Sequence, residues 1–213
     1  MISVARFLSL LLVLAVLVLA SGCTSGPAPS SPGPTPTPAN LVYSNAGDNF
    51  RIVVPYNWTV KSSDKIAASF IPATIYPYAL PSVVFIREQN TDSSQALMVI
   101  WGLNLTNYST PQDLSSFQAT YLQDAIQLFT SNGDTNFVTS PPHDSVINGK
   151  EALTTIVNFT NAGGFESIGR VTTIKDGQVF YVINYVALNG VYQRQENTVN
   201  AIIDSFTIPV ISG

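Results

Sequence analysis

Charge is scarce in this chain. Only 10% of its 213 residues are Asp, Glu, Lys or Arg, against about 25% in ordinary soluble domains. The formal net charge is -4, and the nine basic residues are scattered. A phosphate backbone needs a clustered Lys/Arg surface, so nucleic acid is set aside as a partner. Histidine occurs once, at His143. Catalysis by a nucleophile and a base needs a group that titrates near neutrality. Asp144 is adjacent, but neighbours on an extended chain point to opposite faces, which leaves it badly placed to orient the imidazole. No GxSxG elbow, HExxH, phosphate-cradling glycine loop or GxGxxG fingerprint is present. The chain therefore reads as a non-enzyme without a cofactor. His143 with Asp144 is the one weak metal pair, since a single imidazole binds feebly without further ligands. A carboxylate-based hydrolase needs no histidine, and Asp92, Asp134, Glu151, Glu166 or Asp204 would have to converge to make one.

Cysteine also occurs once, which excludes an intramolecular disulfide and leaves the fold to rest on its core. Cys23 lies in LASGCTSG, after an apolar run and before a proline-rich tract. Arg6 and the free amine form a positive start, Phe7 to Ala20 form the apolar run, and Ser21 and Gly22 supply small residues. This is the layout of a signal peptide over residues 1–22. A helix over that 14-residue run spans about 21 Å, short of the roughly 30 Å of a bilayer core, so a membrane-spanning anchor is the weaker reading. Ala20-Ser21-Gly22-Cys23 resembles a lipobox, at which the cysteine thiol is acylated, although Ala stands where Leu is usual. The expectation is lipidation at Cys23, with membrane lipid as the first partner and an extracytoplasmic location. Residues 23–40 then form a linker. Thr24 to Asn40 holds six prolines in 17 residues, a composition that favours extended polyproline II with a reach of about 50 Å.

From Leu41 the hydrophobic period changes. Phe50, Ile52 and Val54 alternate along a strand ended by Pro55, and Ser82 to Glu88 and Ala96 to Asn104 are rich in β-branched and aromatic residues. Leu114, Phe117, Tyr121, Leu122, Ala125, Leu128 and Phe129 then recur at three and four, a helix. Thr110 and Pro111 are expected to open it and Asn132-Gly133 to close it. A short strand follows near Thr135 to Thr139. Asn148-Gly149 and Asp176-Gly177 each sit between strand-like runs, where they supply the positive φ angles of two-residue hairpins. Val191 to Phe206 returns to a helical period. The expected fold is α+β, with an antiparallel sheet of about six or more strands and two main helices packed on it, over residues 41–209.

Taken in order, FRIVVPYNWTV, INGKEA, KDGQVFYVINY and NTVNAIIDSFTI resemble the PsbP family and the wider Mog/PsbP-like fold. The resemblance covers most of Leu41 to Ile208. It implies an extracytoplasmic accessory or binding module, because photosynthetic members are extrinsic subunits of photosystem II and bacterial members include lipid-anchored ones. An envelope protein is the partner this implies.

Two surface features add candidates. Sequons fall at Asn57, Asn104, Asn107 and Asn158, about one more than the asparagine and Ser/Thr content predicts by chance. Asn104 and Asn107 are the best acceptors, in a loop before the helix. IPATIYPYALP, Ile71 to Pro81, is apolar but too proline-rich for a helix or a central strand. Ile75, Tyr76 and Leu80 fold back on the sheet in the first reading. In the second, Tyr76 and Tyr78 present a contact surface. With Trp101 these tyrosines would form the stacking surface of the alternative function, a module that binds a small ligand or a glycan.

Overall fold

A computed structural model describes residues 39–61, 82–87, 96–106 and 113–209. Ten strands and two helices lie among them: β1 (Leu41–Asn45), β2 (Phe50–Val54), β3 (Thr59–Lys61), β4 (Val83–Arg87), β5 (Ala96–Asn104), α1 (Leu114–Ser131), β6 (Thr135–Thr139), β7 (His143–Ile147), β8 (Lys150–Thr160), β9 (Glu166–Asp176), β10 (Val179–Leu188) and α2 (Asn189–Asp204). The two helices pack on an eight-stranded sheet of order β3-β4-β5-β10-β9-β8-β6, and β7 also pairs with β8. Every pairing is antiparallel. The α+β expectation holds, with a larger sheet than the minimum read from the sequence.

Side-chain alternation divides the core between the two faces. On one face Phe85, Met98, Ile183 and Tyr185 pack with Val199, Ile202 and Ile203 of α2 and with Phe50, Ile52 and Val54 of β2. On the other, Val84, Val99, Trp101 and Val182 pack with Phe117, Tyr121 and Ala125 of α1. The central strands are therefore covered twice. This is why β5 and β10 read as nearly continuous apolar runs rather than alternating ones.

The hairpin β1-β2 stands outside the main sheet. The Tyr181 hydroxyl donates to the Asp48 carbonyl at 2.8 Å, and Phe50 stacks on Phe206 at 5.4 Å. Arg51 and Thr207 exchange backbone hydrogen bonds of 2.8 Å in both directions. Sequence periodicity misses β1, whose LVYSN carries little apolar alternation, and β3, which is only three residues long.

Three elements differ from expectation at their boundaries. Helix α1 begins at Leu114, and its cap is Asp113, whose carboxylate accepts from the Ser116 amide at 2.8 Å; Thr110 and Pro111 lie outside the described residues. A carboxylate beside the first free amides satisfies donors that the helix itself cannot. Helix α2 runs from Asn189 to Asp204, two residues early at each end, with no side-chain cap at its N-terminus. The β9-β10 loop is Gly177-Gln178, because Asp176 pairs with Val179, and only Gly177 has a positive φ there, at 61°. The β7-β8 turn matches expectation, with φ of 48° at Asn148 and 80° at Gly149. Asn148 does more than turn the chain: its side-chain amide donates to the Asp204 and Phe206 carbonyls at 3.0 and 2.6 Å, tying this hairpin to the end of α2.

Candidate functional site

The face under α1 holds a small apolar cavity. Toward the C-terminal half of that helix, Leu122 and Phe129 face Phe137 of β6, Phe159 of β8, Gly169 of β9 and Asn184 of β10 around a narrow cavity. The cavity is small, about 20 Å³ in volume. Phe159 lies between two other rings, 5.9 Å from Phe129 and 5.5 Å from Phe137, stacked on both. Strand register sets the floor, since Val157, Gly169 and Val186 stand side by side across β8, β9 and β10.

One polar side chain lines the cavity, and a second lies near that side chain. Asn184 is 7% exposed and lines the cavity, flanked in register by Val99 and Val171. The Tyr121 hydroxyl lies close enough to the Asn184 amide to interact with it, yet no hydrogen bond of normal geometry forms. Burial holds the Tyr121 phenol well above its usual pKa, with Asn184 opposing that shift. Sequence reading missed Gly169, Asn184 and Tyr121 as a group. The signal was present, since a glycine inside a strand pattern often marks a bulge or a close approach.

Nearer the α1 N-terminus, Asp113, Asp144 and Glu151 line an open groove. The Asp113 carboxylate is already engaged: it accepts from Ser115 Oγ at 2.7 Å and from Ser116 Oγ at 2.8 Å, and these bonds with the Ser116 amide bond lower its pKa. The other acids proposed for a hydrolase are dispersed. Asp134, in the α1-β6 turn, accepts from the Ala162 amide at 2.7 Å. Glu166, at the start of β9, accepts from the Asn189 side chain at 3.2 Å. Asp204 ends α2, and Asp92 is outside the described residues. His143 and Asp144 are exposed neighbours on β7, opposite Thr154 and Leu153. No cluster of three or more His, Cys, Asp or Glu able to hold a metal occurs among the described residues.

Trp101 corrects the sequence reading. It is 2% exposed, its ring 5.9 Å from Tyr121 beneath α1, so it packs the core and offers no stacking face to solvent. β5 is buried on both faces, and an aromatic residue in such a strand has nowhere else to go. Tyr76, Tyr78, Cys23 and Asn107 lie outside the described residues. Asn57, Asn104 and Asn158 are exposed. Asn104 Oδ1 accepts from the Thr106 amide at 2.9 Å and from the Thr106 hydroxyl. Asn158 sits within β8, between Val138 and Ile168.

Comparison with solved structures bears on the arrangement of sheet and helices. A cyanobacterial PsbP from Synechocystis sp. PCC 6803 superimposes with a TM-score of 0.52 at 15% identity, over 86% of this chain and 100% of that one. The fold is PsbP-like. LpqN of Mycobacterium tuberculosis, described as involved in cell envelope biogenesis, matches with a TM-score of 0.50 at 14% identity, over 81% of this chain and 91% of that one. At such identities the likeness is one of fold. No family model matches the chain, and no curated protein does. In the PsbP-like domain, the Phe-lined cavity lies between α1 and the sheet, and the acidic groove lies at the α1 N-terminus.

Proposed function

We propose that the chain is a lipoprotein, acylated at Cys23 and held on the extracytoplasmic face of the cell membrane, whose PsbP-like domain is a non-catalytic accessory or binding module for an envelope protein. The observation that carries this reading is LASGCTSG between an apolar run and a proline-rich linker, placed ahead of a domain with a PsbP-like fold. The shared fold of LpqN, an envelope-biogenesis protein, supports the location. The linker gives the domain a reach of about 50 Å from the bilayer. Firm anchoring takes two acyl chains or a second signal, because one chain alone binds marginally.

Metabolic labelling with an alkynyl fatty acid tests the tether. The native chain takes up label and sediments with membranes, and Cys23→Ser loses the label. Equal labelling of both chains, or of neither, overturns it. Crosslinking in native membranes tests the partner: one envelope protein is captured above background, and capture of none rejects the accessory role.

A further inference from the structure

Charge is absent from one end of the domain. Leu41 to Gly47 and Ile52 to Val60 contain no Asp, Glu, Lys or Arg, and the first of these runs extends without a charge back through the linker to Thr24. Strand pairing brings the two runs together at the open end of the β1-β2 hairpin, where Leu41 stands opposite Val54 and Val42 opposite Val53. Pro55 and Tyr56 follow directly, in a turn that the Trp58 amide closes on the Pro55 carbonyl at 3.0 Å. Val54 and Trp58 point into the core, whereas Tyr56 is 60% exposed and Leu41 and Val42 are exposed beside it. Scattered apolar side chains on a surface need no explanation. Here four of the seven large exposed ones among the described residues, Leu41, Val42, Tyr56 and Val60, fall in two charge-free runs that meet, and grouped apolar surface marks a contact site. Val146 and Phe165 differ, since Val146 stands opposite Glu151 and Phe165 precedes Glu166.

We propose that the open end of this hairpin is a membrane-contacting face, with Leu41, Val42 and Tyr56 seated in the headgroup boundary of the bilayer that holds Cys23. The inference rests on the lipoprotein reading above. Lipid is the occupant because of where the tether enters: the linker joins the domain at Leu41, so along the chain no other part of the folded surface lies nearer the anchor. A reach of about 50 Å keeps the domain close to the bilayer, and a short tether gives effective concentrations of order millimolar. Such a concentration populates a contact too weak to form from free solution. The lack of charge matters because an ionised group resists leaving water. Tyrosine suits the boundary, its ring apolar and its hydroxyl wet. One acyl chain binds marginally and gains from a second signal, which this face supplies.

Photolabelling of the full chain in native membranes tests it, with a phosphatidylcholine bearing a diazirine at the upper end of one acyl chain as the probe, and adducts mapped by peptide mass spectrometry. Peptides carrying Val42 and Tyr56 take up at least threefold more probe than those carrying Val146 or Phe165, which are no less exposed. Val42→Asp combined with Tyr56→Asp lowers the hairpin adducts to the level of the Val146 peptide, and thermal melts confirm that the variant is folded. It still sediments with membranes, because Cys23 is untouched. Three results overturn the proposal and leave the lipoprotein reading standing: adducts spread evenly over the domain, undiminished hairpin labelling in the folded variant, or a glycan on Asn57, which would hold this end off the lipid. A native chain that does not sediment with membranes overturns both. If the variant fails to fold, the comparison of peptides on the native chain decides alone.

Discussion

Gln118 fastens α1 to the sheet, and its removal has a calculable cost. The side chain is 1% exposed. Its Nε2 donates to the Leu153 carbonyl at 2.7 Å, with longer contacts to the Val171 carbonyl at 3.3 Å and Thr173 Oγ1 at 3.4 Å. Its Oε1 accepts from the Thr155 hydroxyl at 3.2 Å. Gln118→Met keeps the length of the side chain and removes every donor and acceptor. Two hydrogen bonds at about 1 kcal/mol each are lost, and the Thr155 hydroxyl, 1% exposed, loses its acceptor. Together these destabilise by about 2–3 kcal/mol. For a domain of this size that lowers the melting temperature by roughly 4–12 °C. Thr155→Val alone removes one bond and leaves Oε1 unmatched. With both changes the facing groups are apolar and of similar shape, so the double variant loses less than the sum of the singles, by about 1 kcal/mol or more. Urea unfolding of the four chains, followed by circular dichroism at constant m-value, measures the cycle. Strict additivity, or a Gln118→Met chain as stable as the native one, would refute the view that this residue pegs the helix to the sheet.

Gly102→Ala tests how the β1-β2 hairpin sits: the new methyl would lie 2.8 Å from Asp48 Cβ and 3.0 Å from Cγ. Asp48 is held by Asn45 Oδ1 and by the Tyr181 hydroxyl, so the expected loss is about 1–3 kcal/mol, and an unchanged urea midpoint contradicts this packing. Alkaline pH addresses the tyrosines. Burial raises the pKa of Tyr121, Tyr185 and Tyr192, and it pushes Tyr181 up to about 12 with help from Asp176 and Asp48. The folded state therefore holds protons that the unfolded chain releases from about pH 10, so stability is fully present below that value and falls as pH rises toward 12. Melting temperature against pH, with tyrosinate absorbance followed in parallel, checks the sign, and constant stability from pH 9 to 12 rejects it.

Elements governed by neighbouring residues were legible in the sequence. Asn148 and Gly149 announce their turn because the positive φ is a local demand, and the apolar stripe of α1 follows from helical spacing alone. Properties set by partners far along the chain were not. Gln118 looks like a solvent-facing helix residue until Leu153 and Thr155 arrive from β8. The link from Asn148 to Phe206 spans 58 positions. Trp101 illustrates a different limit, since an aromatic side chain in a strand fits a core or a binding face equally well, and only the arrival of Tyr121 decides between them.

The bridge between Arg51 and Thr207 bears on the order in which the domain is completed. Val53 and Ser205, joined by a hydrogen bond across 152 positions, belong to the same seam as the stack of Phe50 on Phe206. A chain that emerges from its N-terminus makes β1 and β2 early, but the part of their docking surface supplied by α2 and the residues after it appears only at the end. Contacts of such sequence separation close late, because the loop entropy must be met first. The main sheet and α1 are thus able to assemble while the first hairpin is still waiting. The seam that joins the first hairpin to the end of α2 links the start of the domain to its finish.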